Sequence, residues 1–199
     1  MSAELAVLLS GGIDSSSLAF WLRPSWAIFI DYGQLASREE RAAARRIARL
    51  SGINFALIRA NCRQVGSGMM AGRPPSIHAP AEEWWPFRNQ LLATLAAAWA
   101  VGHGVQRIAF ASVATDGEHA DGGMEFFRAI NRLSRMQEGR IAIEAPAAKL
   151  TTEALVRQSQ IPLKWLGWTH SCFAGGMACG TCRGCAKRRG VLEHVQPIN

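Results

Sequence analysis

A buried strand that stops at two glycines and restarts as a helix leaves few folds open. Residues 5–22, LAVLLSGGIDSSSLAFWL, read that way. The apolar run at 5–9 is short and unbroken, as in a strand covered on both faces. Ser10-Gly11-Gly12 then breaks it, and Asp14 with three serines opens an apolar helical pattern. Convergent backbone N–H groups at such a turn, next to the positive end of a helix, form an anion site. Ser10, Ser15 and Ser16 add hydroxyl donors. No Gly-Lys-Ser/Thr closes the loop, so it is not a Walker loop.

The rest of the chain continues the alternation. Strands are predicted at 26–31, 53–58, 106–112 and 141–144, with helices at 15–22, 37–50, 86–100, 121–137 and, last, 151–158. Residues 60–82 show no period, and a loop of that length in a compact domain is usually a lid or a binding segment. The expected fold is α/β: a Rossmann-like parallel sheet with helices on both faces. At 199 residues the chain is expected to be one domain over 1–199, with 169–190 an integral metal-binding segment. Ligands of such sheets bind beyond the carboxyl ends of the strands.

The tail carries Cys172, Cys179, Cys182 and Cys185 in the spacing C-x6-C-x2-C-x2-C. Four thiolates close a tetrahedral shell around zinc and leave no open position, which makes the site structural. An iron–sulfur cluster on the same four cysteines is the rival reading. Arg183, Lys187, Arg188 and Arg189 would offset the charge of the thiolates. Cys62 stands apart from the set. The net charge of +7 suits an anionic partner, but Arg41, Arg45, Arg46 and Arg49 are expected on a solvated helix face. No apolar stretch reaches the length of a membrane span, and the first residues lack a basic leader. A cytoplasmic protein without membrane partners is expected. Trp84, Trp85 and the apolar side of the following helix are candidates for a homodimer contact.

The loop resembles S-G-G-x-D-S of the N-type ATP pyrophosphatases (PP-loop enzymes). FIDYGQ follows the second strand, PFRN opens the middle helix, and THSCF leads into the cysteines. Together with the four-cysteine unit, these motifs resemble the QueC family, the 7-cyano-7-deazaguanine synthases, over about residues 5–192. The resemblance implies ATP, Mg2+ and Zn2+ as cofactors and 7-carboxy-7-deazaguanine as substrate. Its carboxylate is adenylated, ammonia gives the amide, and a second activation gives the nitrile. It also implies that Ser10, Gly11, Gly12, Asp14, Ser15 and Ser16, with Asp31, Tyr32 and Gln34, bind the nucleotide. Arg88, Asn89, Asp116 and Asp121 would bind substrate. Ser10, Asp14, Ser15, Arg88 and Asp116 would carry the chemistry.

The chain departs from the family pattern at TDGEHADGGMEFF. His119-Ala120 replaces Tyr-Pro and Gly122-Gly123 replaces Cys-Arg. Thr152 stands where the family has a lysine, for which Lys149 is the nearest substitute in sequence. A roomier site is expected at the two glycines, one that could take a peptide or protein amine in place of ammonia, as in an antiphage ligase. A PP-loop enzyme that modifies tRNA and a non-catalytic binding module are the other readings, although a chain of this size leaves little room for an RNA-binding part.

Overall fold

The computed structural model describes residues 4–195; residues 1–3 and 196–199 of the expected single domain lie outside the described residues. Five strands form one sheet: β1 (Glu4–Leu8), β2 (Trp26–Asp31), β3 (Asn54–Arg59), β4 (Val105–Ala109) and β5 (Ala142–Glu144). Their order is β3-β2-β1-β4-β5, and every pairing is parallel. The expected parallel α/β sheet is therefore present. The chain winds outward from β1 to β3, returns to β4 beside β1, and winds outward the other way. The place where that order reverses, between β1 and β4, is where ligands of doubly wound sheets bind.

Period-two alternation sends side chains to opposite faces. Ala6, Ile28, Ile30 and Ile108 join one core; Val7, Leu9, Ala27 and Phe29 join the other. The first core is covered by α4 (Arg88–Val101), through Ala93, Ala96 and Ala100, and by α5 (Met124–Ser134), through Phe127 and Ile130. The second is covered by α1 (Ile13–Leu22), α2 (Ser37–Ser51) and α6 (Thr152–Ser159). Each fully buried leucine or isoleucine here, such as Leu18 or Leu155, contributes about 1.5–3 kcal/mol. Arg45 and Arg49 do face solvent, but Arg46 turns back to stack 4.3 Å from the ring centroid of Trp168.

The loop at 60–82 is not structureless. It holds a 3-10 turn at Arg63–Val65 and a short helix, α3 (Gly68–Ala71), and it anchors Trp85, which is buried edge-on against Tyr32 at 4.8 Å. Trp85 is a core residue and is not available for an intermolecular contact. Most element boundaries shift by one to three residues from expectation, among them β4, expected to reach 112 and ending at Ala109, and α1, which begins at Ile13; three differences bear on the site. The helix expected from residue 86 starts at Arg88, because Phe87 takes a left-handed conformation. The helix expected from 121 starts at Met124, after a 3-10 turn at Ala120–Gly122.

The third difference is larger: two helices follow α6, where none is expected from the sequence. One is α7 (Leu163–Leu166); the other is α8 (Arg183–His194). Its two glycines and four cationic residues dilute the apolar period. Burial of Val191 against Ile13, Val156 and Leu166 supplies the missing signal in space. No helix among the described residues is long and apolar enough to cross a membrane.

Candidate active site and metal centre

A cavity of about 500 Å³ opens at the reversal point, beyond the ends of β1, β2 and β4. That is within the roughly 300–1,000 Å³ typical of small-molecule sites. Its floor is apolar, from Ile28, Ile30 and Phe110, and its rim is polar.

The rim begins with the loop after β1. Gly11 has φ +83°, and a Cβ there would collide with the backbone of Glu40 and Ala44 in α2, so only glycine fits. Its carbonyl accepts the His170 N–H at 2.8 Å, tying THSCF to this turn. Ser10 Oγ lies 3.0 Å from Ser15 Oγ and accepts the Gly12 N–H at 3.3 Å, while Ser15 donates to the Gly12 carbonyl at 3.2 Å. Ser10, Gly12, Asp14 and Ser15 face the cavity. Gly11 and Ser16 do not: Gly11 shapes the turn, and Ser16 is wholly buried in α1.

From the second motif, Tyr32 and Gln34 reach the wall and Asp31 does not. Asp31 accepts the Gly33 N–H at 3.3 Å, which closes its own turn. Gln34 accepts the Tyr32 N–H at 3.0 Å and donates to Glu40 at 2.9 Å. Burial pushes the Tyr32 hydroxyl well up. It also pushes the Glu40 carboxyl up to about 7, against the hydrogen bond from Gln34.

Arg88 and Asn89 both reach the cavity. Among the described residues, the hydrogen-bond partner of the Arg88 guanidinium is the Met70 sulfur at 3.3 Å. A cation at a helix N-terminus is unfavourable, and Asp121 compensates. Its carboxylate accepts the Asn89 N–H at 3.0 Å, and its carbonyl accepts the Asn89 side-chain amide at 2.6 Å. Asn89 and Asp121 thus hold each other, and Asp121 is off the cavity wall. Asp116 is on it. Its carboxylate accepts the Val113 N–H at 3.1 Å. The two glycines behave differently. A Cβ on Gly122 would overlap the Asp116 carbonyl, whereas nothing lies within 4 Å of one on Gly123. The expected room is not found: Gly122, which lines the cavity, is packed, and Gly123, which is open, is off the cavity wall.

In the sequence, Lys187 stands out only as charge compensation for the cysteines. In the fold it enters the site from α8, with Nζ 2.8 Å from Asp14 and 3.4 Å from Asp116. Burial alone would lower its pKa, but the two carboxylates outweigh that and hold it above the ordinary lysine value. Burial pushes the Asp14 carboxyl up, and Lys187 acts against it. Lys149 is not on the wall; His170, Glu83 and Arg183 are. Glu83 is buried, 3.2 Å from Arg183. His170 belongs to the THSCF motif and Arg183 shares α8 with Lys187, but their meeting with Glu83 at the wall follows from no local pattern.

The sulfur atoms of Cys172, Cys179, Cys182 and Cys185 lie within 4.8 Å of one another. Tetrahedral zinc at about 2.3 Å per thiolate asks for separations of about 3.8 Å. The N–H groups of Cys179, Cys182 and Cys185 turn toward the Cys172, Cys179 and Cys182 sulfurs at 3.4–3.5 Å, as suits thiolate acceptors. The donor set fits a closed zinc site.

Fold and site define the class: a doubly wound α/β protein with a small-molecule cavity at its switch point and a four-cysteine cluster able to hold zinc. The family model described as "Queuosine biosynthesis protein QueC" matches residues 4–196. The chain is 31% identical to 7-cyano-7-deazaguanine synthase of Desulforudis audaxviator, covering 91% of this chain and 92% of that protein. It is 31% identical to the synthase of Laribacter hongkongensis (94% and 89%). It is 28% identical to 7-cyano-7-deazaguanine synthase 1 of Desulfitobacterium hafniense (96% and 91%). The chain belongs to the QueC family.

Proposed function

We propose that the cavity binds ATP and 7-carboxy-7-deazaguanine, and that the chain is an ATP-dependent carbon–nitrogen ligase. The names of the relatives support the substrate class. The observation that carries the reading is the convergence of the Ser10–Ser15 loop, Arg88 and Asp116 on one cavity. In this reading Ser10, Ser15 and the first N–H groups of α1 hold the pyrophosphate as it leaves, where charge develops. Arg88 offers a forked pair of donors to the substrate carboxylate. Tyr32 and Gln34 bound the nucleotide side. Magnesium supplies neutralisation of the phosphates when bound. The carboxylate oxygen displaces pyrophosphate to give the acyl-adenylate, and an amine then displaces AMP to give the amide. A second activation, at the amide oxygen, leads to the nitrile 7-cyano-7-deazaguanine.

A peptide or protein amine as acceptor in place of ammonia is the second reading, and the identity of the product decides it, since the open glycine, Gly123, lies off the cavity wall. We also infer a single domain in which 169–190 is integral. The packing of α8 on α1 and α6 supports this.

Mass spectrometry after incubation with ATP, magnesium and 7-carboxy-7-deazaguanine, with and without ammonia, tests the function. Pyrophosphate, AMP and a substrate-derived amide or nitrile are expected. Pyrophosphate release that is indifferent to 7-carboxy-7-deazaguanine would overturn the substrate assignment. Complete conversion to the nitrile, with two AMP per product, would remove the case for a larger amine.

A further inference from the structure

Asp14 stands on the helix after β1 and Asp116 on the turn after β4, the two strands that flank the reversal point. Their carboxylates meet across the cavity with one ammonium between them, Lys187 Nζ, at 2.8 and 3.4 Å. The lysine side chain is 31% exposed and that of Asp14 19%, so solvent screens this group only in part. Two carboxylates sharing a part-buried site repel, and a cation between them relieves the repulsion without protonating either.

We propose that Lys187 is that cation permanently. Its ammonium fills the place between Asp14 and Asp116 that a divalent ion would take, so metal enters this cavity only on the phosphates of a nucleotide.

The register of α8 is specific to this role. Ala186 is exposed, and Arg188 is turned to Thr169 Oγ1 at 2.9 Å and the Leu166 carbonyl at 3.0 Å. Only the residue between them points to the carboxylates. Cys182 caps α8 and Cys185 lies in its first turn. The four-cysteine cluster therefore sets where the ammonium stands over the loop. Two of the three ammonium donors are engaged among the described residues, which leaves one for an anionic ligand. The assignment rests on the charges of the cavity and not on the reaction proposed for it, and its test uses no substrate.

The experiment is titration of the full chain, without nucleotide, with Mn2+, following free Mn2+ by electron paramagnetic resonance. The wild-type chain is expected to show no tight site. Lys187→Met should bind one Mn2+ at least about tenfold more tightly, because the carboxylates lose their counter-charge. Lys187→Arg keeps the charge and should behave as the wild type. Lys187→Met combined with Asp116→Asn should lose the acquired site. A wild-type chain that binds Mn2+ tightly without nucleotide overturns the proposal. So does a Lys187→Met chain that keeps its zinc and its melting transition yet gains no affinity. Should Lys187→Met lose its zinc, Lys187→Gln replaces it in the same titration and is read in the same way.

Discussion

The loop after β1 and the knuckle before α8 face each other, and they are held in opposite ways. The loop's side-chain bonds, among Ser10, Gly12 and Ser15, span at most five residues, between a buried strand and a buried helix. The knuckle is largely exposed between residues 174 and 181, and its anchors lie far away in sequence. His170 bonds to Gly11, Lys187 to Asp14, and Val191 enters an apolar cluster with Ile13. The lesson is that the turn closes on its own local bonds and takes only a few contacts from the tail, at Gly11 and Asp14. The tail reaches the same place through distant anchors and a four-cysteine cluster that could hold zinc, and it delivers one lysine there.

The strongest way to break this comparison is to remove the metal. Cys182→Ser should strip the zinc and melt the tail while the sheet survives, since about 10 kcal/mol of binding free energy is coupled to folding at structural zinc sites. Metal analysis with circular dichroism checks it; a variant that keeps both its zinc and its melting transition would sink the structural reading. Iron in place of zinc would favour the iron–sulfur alternative.

On the loop side, Ser15→Ala should reduce pyrophosphate release by about 10²–10³-fold, the size seen when one donor to a developing charge is lost. The melting temperature should fall by only a few degrees, from the lost bonds to Ser10 and the Gly12 carbonyl. Turnover equal to the wild type would take Ser15 out of the mechanism.

The next test concerns the buried acid beneath the loop. The folded pKa of Glu40, about 7, lies above its ordinary value of 4.5. Its contribution to stability is full below about pH 4.5 and is lost as the pH rises through about 7. Glu40→Gln should flatten that slope and stabilise the chain above pH 7, by an amount of order 3 kcal/mol. Denaturant titrations at pH 5 and 8 read it; equal effects at both values would contradict the assignment.

The smallest expected effect is at α6, whose first turn Thr151 caps by accepting the Ala154 N–H at 3.2 Å. Thr151→Ala should cost about 1 kcal/mol without changing zinc content. A loss several times larger would mean that α6 supports the tail more than the sheet does.

How legible the site was followed from distance along the chain. The strand–turn–helix at 5–22, the second strand and the four cysteines were readable because each is a local pattern: period, turn chemistry, spacing. Tyr32, Gln34, Arg88 and Asp116 were placed by resemblance, and all reach the cavity. Asn89 comes by the same route and reaches the cavity while it bonds Asp121; Asp31 and Asp121 lie off the wall and hold a turn and a helix end. Whether a polar side chain binds ligand or backbone depends on which neighbours approach it.

By itself, the sequence determined the parallel sheet, the glycine turn at its first strand and the four-cysteine cluster, because hydrophobic period and residue spacing act over a few positions. Only the tertiary structure decided that α8 exists, that Gly122 is packed and Gly123 open, and that Lys187 stands between Asp14 and Asp116. Those partners are 173 and 71 residues away along the chain. No local pattern encodes such a meeting; it arises from the strand order, which puts β1 beside β4, and from burial of α8, which sets the direction in which its residues point.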